Sequence, residues 1–219
     1  MTHSSYLRIK IVIPKPTFEQ ESRLWKDGIK YVVGVDEVGR GAFAGPLVAC
    51  GVIFTPFCPT DPGIQDSKLL SAKKREELAK VIRQQALLYV FCEISVSKIN
   101  RLGIGKANNL ALQAVVECLL KRVGSARSFV LVDGQTKLRL NTPQKAMIKG
   151  DRQSITIAAA SILAKVHRDS LMSQLDLKYE NYGFAQNKGY GTSEHRNAIG
   201  IHGLSDIHRK CFALKKFLM

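Results

Sequence analysis

"YVVGVDEVGRGAFAGP", residues 31–46, starts as an apolar, β-branched run and changes abruptly to charge and glycine. Residues 31–36 have the composition of a strand. The run closes on two adjacent carboxylates, Asp36 and Glu37, and Arg40 follows between Gly39 and Gly41. "LVACGVIF", residues 47–54, reads as a second strand, and the glycine-rich segment between the two predicts a turn and an antiparallel pair.

Outward from that pair, "TPFCPTDPGIQDSKLL" (55–70) is a proline-punctuated loop. Ser71 stands as N-cap before "AKKREELAKVIRQQA", whose apolar residues recur at helical spacing. A third strand is expected over 88–95 and a helix over 106–123. "SFVLVD" (128–133) is a fourth strand ending in Asp133, and "KAMIKGD" (145–151) a short fifth ending in Asp151. A long helix over 152–179 follows. Its first half, "ITIAAASILAKV", is almost all small or apolar and should be buried against the sheet. Strands dominate early and helices alternate later, which predicts an α/β layer with a mixed sheet. Residues 1–28 read as an N-terminal extension with a short helix from Thr17. Residues 29–219 read as one main domain, closing over about 180–219 in glycine-rich loop and short helices.

The chain has 219 residues, of which 45% are hydrophobic and 23% charged, ordinary values for a soluble globular protein. The charge balance is not ordinary: 33 Lys and Arg against 18 Asp and Glu leave +15. That excess points to a polyanionic partner, nucleic acid before an anionic membrane. The apolar runs are far shorter than the ~20 residues a membrane span needs. The N-terminus lacks a secretory signal pattern, so a cytoplasmic location is expected. The 5 cysteines include no CxxC and read as reduced and structural. "GIGKANN" is not a P-loop, since Ala107 stands where Ser or Thr would bind Mg²⁺.

Asp36 with Glu37, Asp133 and Asp151 each follow an apolar strand. If those strands are neighbours, the carboxylates gather at one edge of the sheet, and their mutual repulsion calls for a cation. Hard divalent ions with oxygen ligands serve best, magnesium commonly, and two of them together support phosphodiester cleavage. An Asp at a strand end also serves as a turn former or helix cap. For Asp151 alone the cap is the better reading; three such sites on a basic chain favour metal chemistry. Asp169 competes for the fourth place. It lies eighteen residues from Asp151 along the expected helix, roughly 27 Å at helical rise, and reads as an ion-pair partner beside Arg168. Gly39 and Gly41 expose backbone to a close ligand, where a ribose 2′-OH could be read, and Arg40 can bind phosphate.

"GVDEVGRGAFAGPLVA", "DSKLLSAKKREEL", "VLVDG", "IKGDRQSITIAAASILAKVHRD", "YGFAQNKGYGTSEHRNAI" and "IHRKCF" together resemble bacterial ribonuclease HII. The matches run in order over most of the chain. The resemblance implies a ribonuclease H-like fold: a mixed five-stranded sheet flanked by helices, with a small C-terminal helical segment. It implies Mg²⁺- or Mn²⁺-dependent cleavage 5′ to ribonucleotides in RNA–DNA hybrids and at single ribonucleotides embedded in duplex DNA. It puts the metal-binding carboxylates on Asp36, Glu37, Asp133 and Asp151. It puts ribonucleotide contact on Gly39, Arg40 and Gly41, a junction-sensing ring on Tyr190, and phosphate contact on Ser67 and Lys68. Lys188 and Arg196, near Tyr190, read as part of the nucleic-acid face. The sister family, ribonuclease HIII, usually has GTG where this chain has GRG, and a long N-terminal domain. His202 and His208 read as surface or packing residues, the C-terminal "FALKKFLM" as packed on the core, and the protein as a monomer.

Overall fold

Strands β1 (Tyr31–Val38), β2 (Leu47–Phe54), β3 (Ala86–Ile94), β4 (Ser128–Asp133) and β5 (Gln144–Met147) form one mixed sheet in the order β3-β2-β1-β4-β5. The computed structural model describes residues 15–57, 64 and 70–218. Within them the helices are α1 (Glu19–Lys26), α2 (Ala72–Gln85), α3 (Val96–Leu102), α4 (Ile104–Val123), α5 (Ile155–Asp176), α6 (Phe184–Asn187) and α7 (Ser193–His202). β1 pairs antiparallel with β2, and β2 with β3; β4 runs parallel to both β1 and β5.

All eight residues of β2 are buried, which explains why its sequence is a continuous apolar run rather than an alternation. Leu47, Ala49 and Ile53 face α4, where Ala111, Leu112, Val115 and Leu119 pack on them. Val48, Cys50, Val52 and Phe54 face α2 and α5. The alternation therefore separates two helix layers, with the sheet between them.

The small residues of α5 bring it close to the sheet. A Cβ on Gly34 would lie 2.4 Å from the Thr156 carbonyl carbon, so only glycine fits under the first turn of α5. Ile157, Ile162 and Leu163 are fully buried there, each contributing about 1.5–3 kcal/mol of hydrophobic stabilisation.

Several boundaries differ from the sequence reading. β1 continues through Asp36 and Glu37 to Val38, because both carboxylates sit opposite β2 residues, Cys50 and Ala49, in an unbroken ladder. β5 stops at Met147. Asp151 therefore does not end a strand; it lies in a 3-10 turn, Gly150–Arg152, after Lys149 in a left-handed conformation. α5 starts three residues later than expected, where the Ser154 hydroxyl accepts the Ile157 N–H as N-cap. The short helix α3 before α4 is an addition, capped by Ser95. Ser71 caps α2 as expected, accepting the Lys74 N–H at 3.3 Å.

Residues 15–28 lie against the sheet. Trp25 packs with Val32, Leu131, Met147 and Ile157. Glu21, fully buried, accepts the Thr156 N–H at 2.9 Å and the Ser154 hydroxyl at 2.6 Å. A carboxylate at the α5 N-terminus also complements the helix dipole. At the other end, Leu214 is buried and Phe217 stacks on Phe43 at 5.7 Å. Cys50, Cys92, Cys118 and Cys211 are free thiols, while Cys58 is outside the described residues. Among the described residues, no helix is long and apolar enough to cross a membrane.

Candidate active site

The parallel pairing of β1 and β4 aligns Val35 with Val132. The next residue on each strand is a carboxylate, Asp36 and Asp133, so the register alone brings them side by side. β5 continues the same edge: Asp133 pairs with Met147, and the turn that follows donates the Gly150 N–H to Asp133 Oδ1 at 2.7 Å. That bond brings the 3-10 turn carrying Asp151 against Asp133.

Successive strand residues point to opposite faces, so Asp36 and Glu37 meet different helices. Asp36 turns toward α5, where the Ser161 hydroxyl bonds it, and its Oδ1 accepts the Glu37 N–H at 2.7 Å. Glu37 turns toward α4 and bonds the buried Asn108. Arg40 comes within 3.9 Å of Glu37. Burial holds the Asp36 carboxyl well above the usual carboxylate range, with the Asp133 and Glu37 charges adding to the rise. Burial raises Glu37 too; the Arg40 guanidinium opposes it and Asp133 adds to it.

Asp36, Glu37, Asp133, Ser161, Lys165 and Tyr190 line a cavity of about 290 Å³. Asp151 is buried, 2% exposed, beside this cavity but not on its wall. Among the described residues, no three His, Cys, Asp or Glu side chains already converge as a closed ligand shell. Asp36 and Asp133 are instead drawn onto backbone N–H groups by the two 2.7 Å bonds. The donor set still suits a hard divalent cation: oxygen ligands, net negative and partly buried, with Asp36 and Glu37 raised in pKa by burial first and by neighbouring carboxylates second.

The 39–41 loop rims the same site. Gly39 has φ +85°, and a Cβ there would lie 2.1 Å from Arg168 Nε. Gly41 faces open space, and Arg40 is exposed. The Tyr190 ring has two cations near its face, Arg168 at 5.4 Å and Lys165 at 5.8 Å. Lys188 is not brought to this cavity. Its amine bonds the Ser173 hydroxyl at 2.7 Å, and it lines a neighbouring groove with Arg75, Lys80 and Arg83. Asp169, as expected, is an ion-pair residue, but its partners are Lys165 at 2.7 Å and Arg75 at 3.9 Å rather than Arg168. Ser67 and Lys68 are outside the described residues.

Sequence reasoning missed Ser161, Lys165 and Asn108. The first two carried a signal: polar residues four apart on an otherwise apolar helix share one face. Asn108 had none, since a polar residue in the first turn of a helix is ordinary. It also missed Arg168, His195 and Arg209, which hold the surrounding loops from beneath.

A family model described as ribonuclease HII matches residues 33–215. A protein named ribonuclease HII from Desulfitobacterium hafniense (strain DSM 10664 / DCB-2) is 46% identical over 194 residues, covering 89% of this chain and 73% of the relative. Among solved structures, ribonuclease H2 from Pyrococcus horikoshii OT3 superposes with a TM-score of 0.67 at 22% identity, covering 85% of this chain and 96% of that one. Bst-RNase HIII in complex with Mn²⁺ gives a TM-score of 0.68 at 19% identity, covering 89% and 70%. These two structures share the fold described above.

Proposed function

The chain belongs to the ribonuclease HII family, and from that premise we propose that it cleaves 5′ to ribonucleotides, both in RNA–DNA hybrids and at single ribonucleotides in duplex DNA. The coarser activity comes with the family: a divalent-metal-dependent endoribonuclease of the ribonuclease H type. The observation that carries the finer reading is the register-matched meeting of Asp36 and Asp133, with Glu37, in a cavity that Tyr190 also lines.

In this reading Asp36, Glu37, Asp133 and Asp151 hold Mg²⁺ or Mn²⁺; the structural neighbour Bst-RNase HIII binds Mn²⁺. Two such ions, when bound, would activate a water and stabilise the leaving oxygen. The chain's own residues do the rest. The 39–41 backbone, with open space at Gly41, reads the ribose 2′-OH. Arg40, exposed, and Lys165 on the cavity wall meet phosphate oxygens. The Tyr190 ring lies on the deoxyribose past the ribonucleotide. Ser161 and Asn108 fix the two adjacent carboxylates from opposite faces of the sheet. Hydrolysis would join a water oxygen to phosphorus and break the P–O3′ bond, leaving a 3′-OH on the preceding nucleotide and a 5′-phosphate on the ribonucleotide.

The test is nicking of duplex DNA that carries one ribonucleotide, with Mg²⁺, Mn²⁺ or chelator, and analysis of both product ends. Metal-dependent cleavage on the 5′ side supports the reading. Cleavage of long hybrids alone, or on the 3′ side, would sink it.

A further inference from the structure

His195 and His208 are both fully buried, and their Nε2 atoms are 3.0 Å apart. Their outer partners fix the proton positions. The Tyr190 carbonyl, 2.9 Å from His195 Nδ1, can only accept, so Nδ1 carries the hydrogen and Nε2 of the neutral ring accepts. The Ser205 N–H, 2.9 Å from His208 Nδ1, can only donate, so Nδ1 accepts and Nε2 carries the hydrogen. The two assignments, made from opposite ends, agree at the middle bond: His208 Nε2–H donates to His195 Nε2. A single directed chain therefore runs from the Ser205 backbone through both rings to the backbone of Tyr190.

Arg209, the next residue, reaches the other rim of the site. It is fully buried, and its guanidinium donates to the Gly39 carbonyl at 2.6 Å and the Arg40 carbonyl at 3.1 Å. Two further bonds go to the Gly45 carbonyl. Its backbone N–H donates to the Phe43 carbonyl at 2.7 Å. Two adjacent residues thus fasten the two loops proposed to read opposite sides of the junction.

We propose that His208 and Arg209 are positioning residues that fix the spacing between the 39–41 loop and Tyr190, and so set the preference for a ribonucleotide followed by deoxyribose. This rests on the reading of Tyr190 and the 39–41 loop given above. Neither residue touches the carboxylate cavity. They act by holding two recognition elements in register, where an ångström of misplacement is costly.

The experiment compares kcat and KM on a single-ribonucleotide duplex and on a long RNA–DNA hybrid, well below each variant's melting temperature. His208→Asn keeps an acceptor for the Ser205 N–H and loses the donor to His195; His208→Gln keeps a donor at the Nε2 position. His208→Asn and Arg209→Lys should lower the ratio of single-ribonucleotide to hybrid cleavage by about tenfold, and His208→Gln should restore most of it. Should His208→Asn fail to fold, His195→Gln, which loses the donor to the Tyr190 carbonyl, carries the same test against His195→Asn, which keeps it. A merely structural role would lower both substrates alike, in step with stability. If Tyr190→Ala lowers the ratio while His208→Asn and Arg209→Lys leave it unchanged, the positioning role is overturned and the reading of Tyr190 stands. If Tyr190→Ala leaves the ratio unchanged, both fall.

Discussion

The carboxylate cavity and the clamp beneath the 39–41 and Tyr190 loops both bury charge, and they treat it in opposite ways. In the cavity, Asp36 is 6% exposed and its nearest charged neighbours, Asp133 and Glu37, have the same sign. In the clamp, Arg168 and Arg209 are fully buried, and their guanidiniums make seven hydrogen bonds to backbone carbonyls. Burial lowers both, Arg209 to about 10 with Arg168 adding to the fall, so each stays charged at neutral pH. Repulsion left standing among the carboxylates is what the proposed cation would relieve. Charge wrapped in carbonyl oxygens has its partners already and serves the architecture.

If that contrast is right, removing a charge from each region changes stability with opposite sign. Asp36→Asn should reduce cleavage by about 10³-fold or more, the scale of losing a group that stabilises transition-state charge. It should at the same time raise the melting temperature of the metal-free protein, because a carboxyl whose pKa rises on folding destabilises the fold at neutral pH. Adding Mg²⁺ or Mn²⁺ should raise the melting temperature of the wild type more than that of Asp36→Asn. Near-normal turnover, or a lower melting temperature for the metal-free variant, would count against the assignment.

Arg209→Met tests the other region. The variant fills the space but leaves the Gly39, Arg40 and Gly45 carbonyls short of donors. We expect a loss of about 3–5 kcal/mol, given about 1–3 kcal/mol for each buried unsatisfied group. That corresponds to a fall of about 6–20 °C at roughly 2–4 °C per kcal/mol for a chain of this size. Thermal or denaturant melts measure it directly. A change below about 1 kcal/mol would mean that water replaces the guanidinium easily.

How far the sequence foretold each region follows from the range of the interactions. Strand composition and the glycine-rich turn gave β1 and β2, and the four described carboxylates were visible because each follows an apolar run. The carboxylates were placed at strand ends, whereas Asp36 and Glu37 lie inside β1, since charge lowers strand propensity but a partner strand overrides it. Asp151 was read as the end of a strand because composition does not show where a ladder loses its partner. The clamp was illegible: in a chain with 33 Lys and Arg, Arg168 entered the sequence reading only as the neighbour of Asp169, and Arg209 only within "IHRKCF". Their burial depends on carbonyls more than a hundred residues away, at Pro46, Ala44, Gly45 and Gly39. His208 was read as a surface or packing residue, and its place in a directed hydrogen-bond chain emerges only in three dimensions.

The smallest effect sharpens the comparison on the histidine side of the clamp. Burial, with His195 adding to it, lowers His208 from the ordinary value of 6.5 to about 4. Burial lowers His195 as well. Protonating His195 would set two N–H groups against each other across the 3.0 Å contact, and protonating His208 would set its Nδ1–H against the Ser205 N–H, 2.9 Å away. Between pH 6.5 and about 4 the unfolded chain therefore binds protons that the folded chain refuses, and stability falls as pH falls through that window. The loss attributable to His208 is up to about 3 kcal/mol, at 1.36 kcal/mol for each unit of pKa. Asp36 works with the opposite sign: its carboxyl is raised on folding, by burial and then by its neighbours' charges, so acid relieves that cost while it breaks the histidine chain. Denaturant melts of the wild type and His208→Gln at a series of pH values separate the two, because Asp36 and every other carboxylate cancel in the difference. The wild type should lose stability relative to His208→Gln as pH drops from 6.5 to 4. The rings titrate as a pair, so the curve reports them together and His195→Asn should flatten it in the same way. Parallel curves for wild type and variant would show that the histidine chain tolerates an extra proton, and the directed hydrogen bonding inferred from Ser205 to Tyr190 would be wrong.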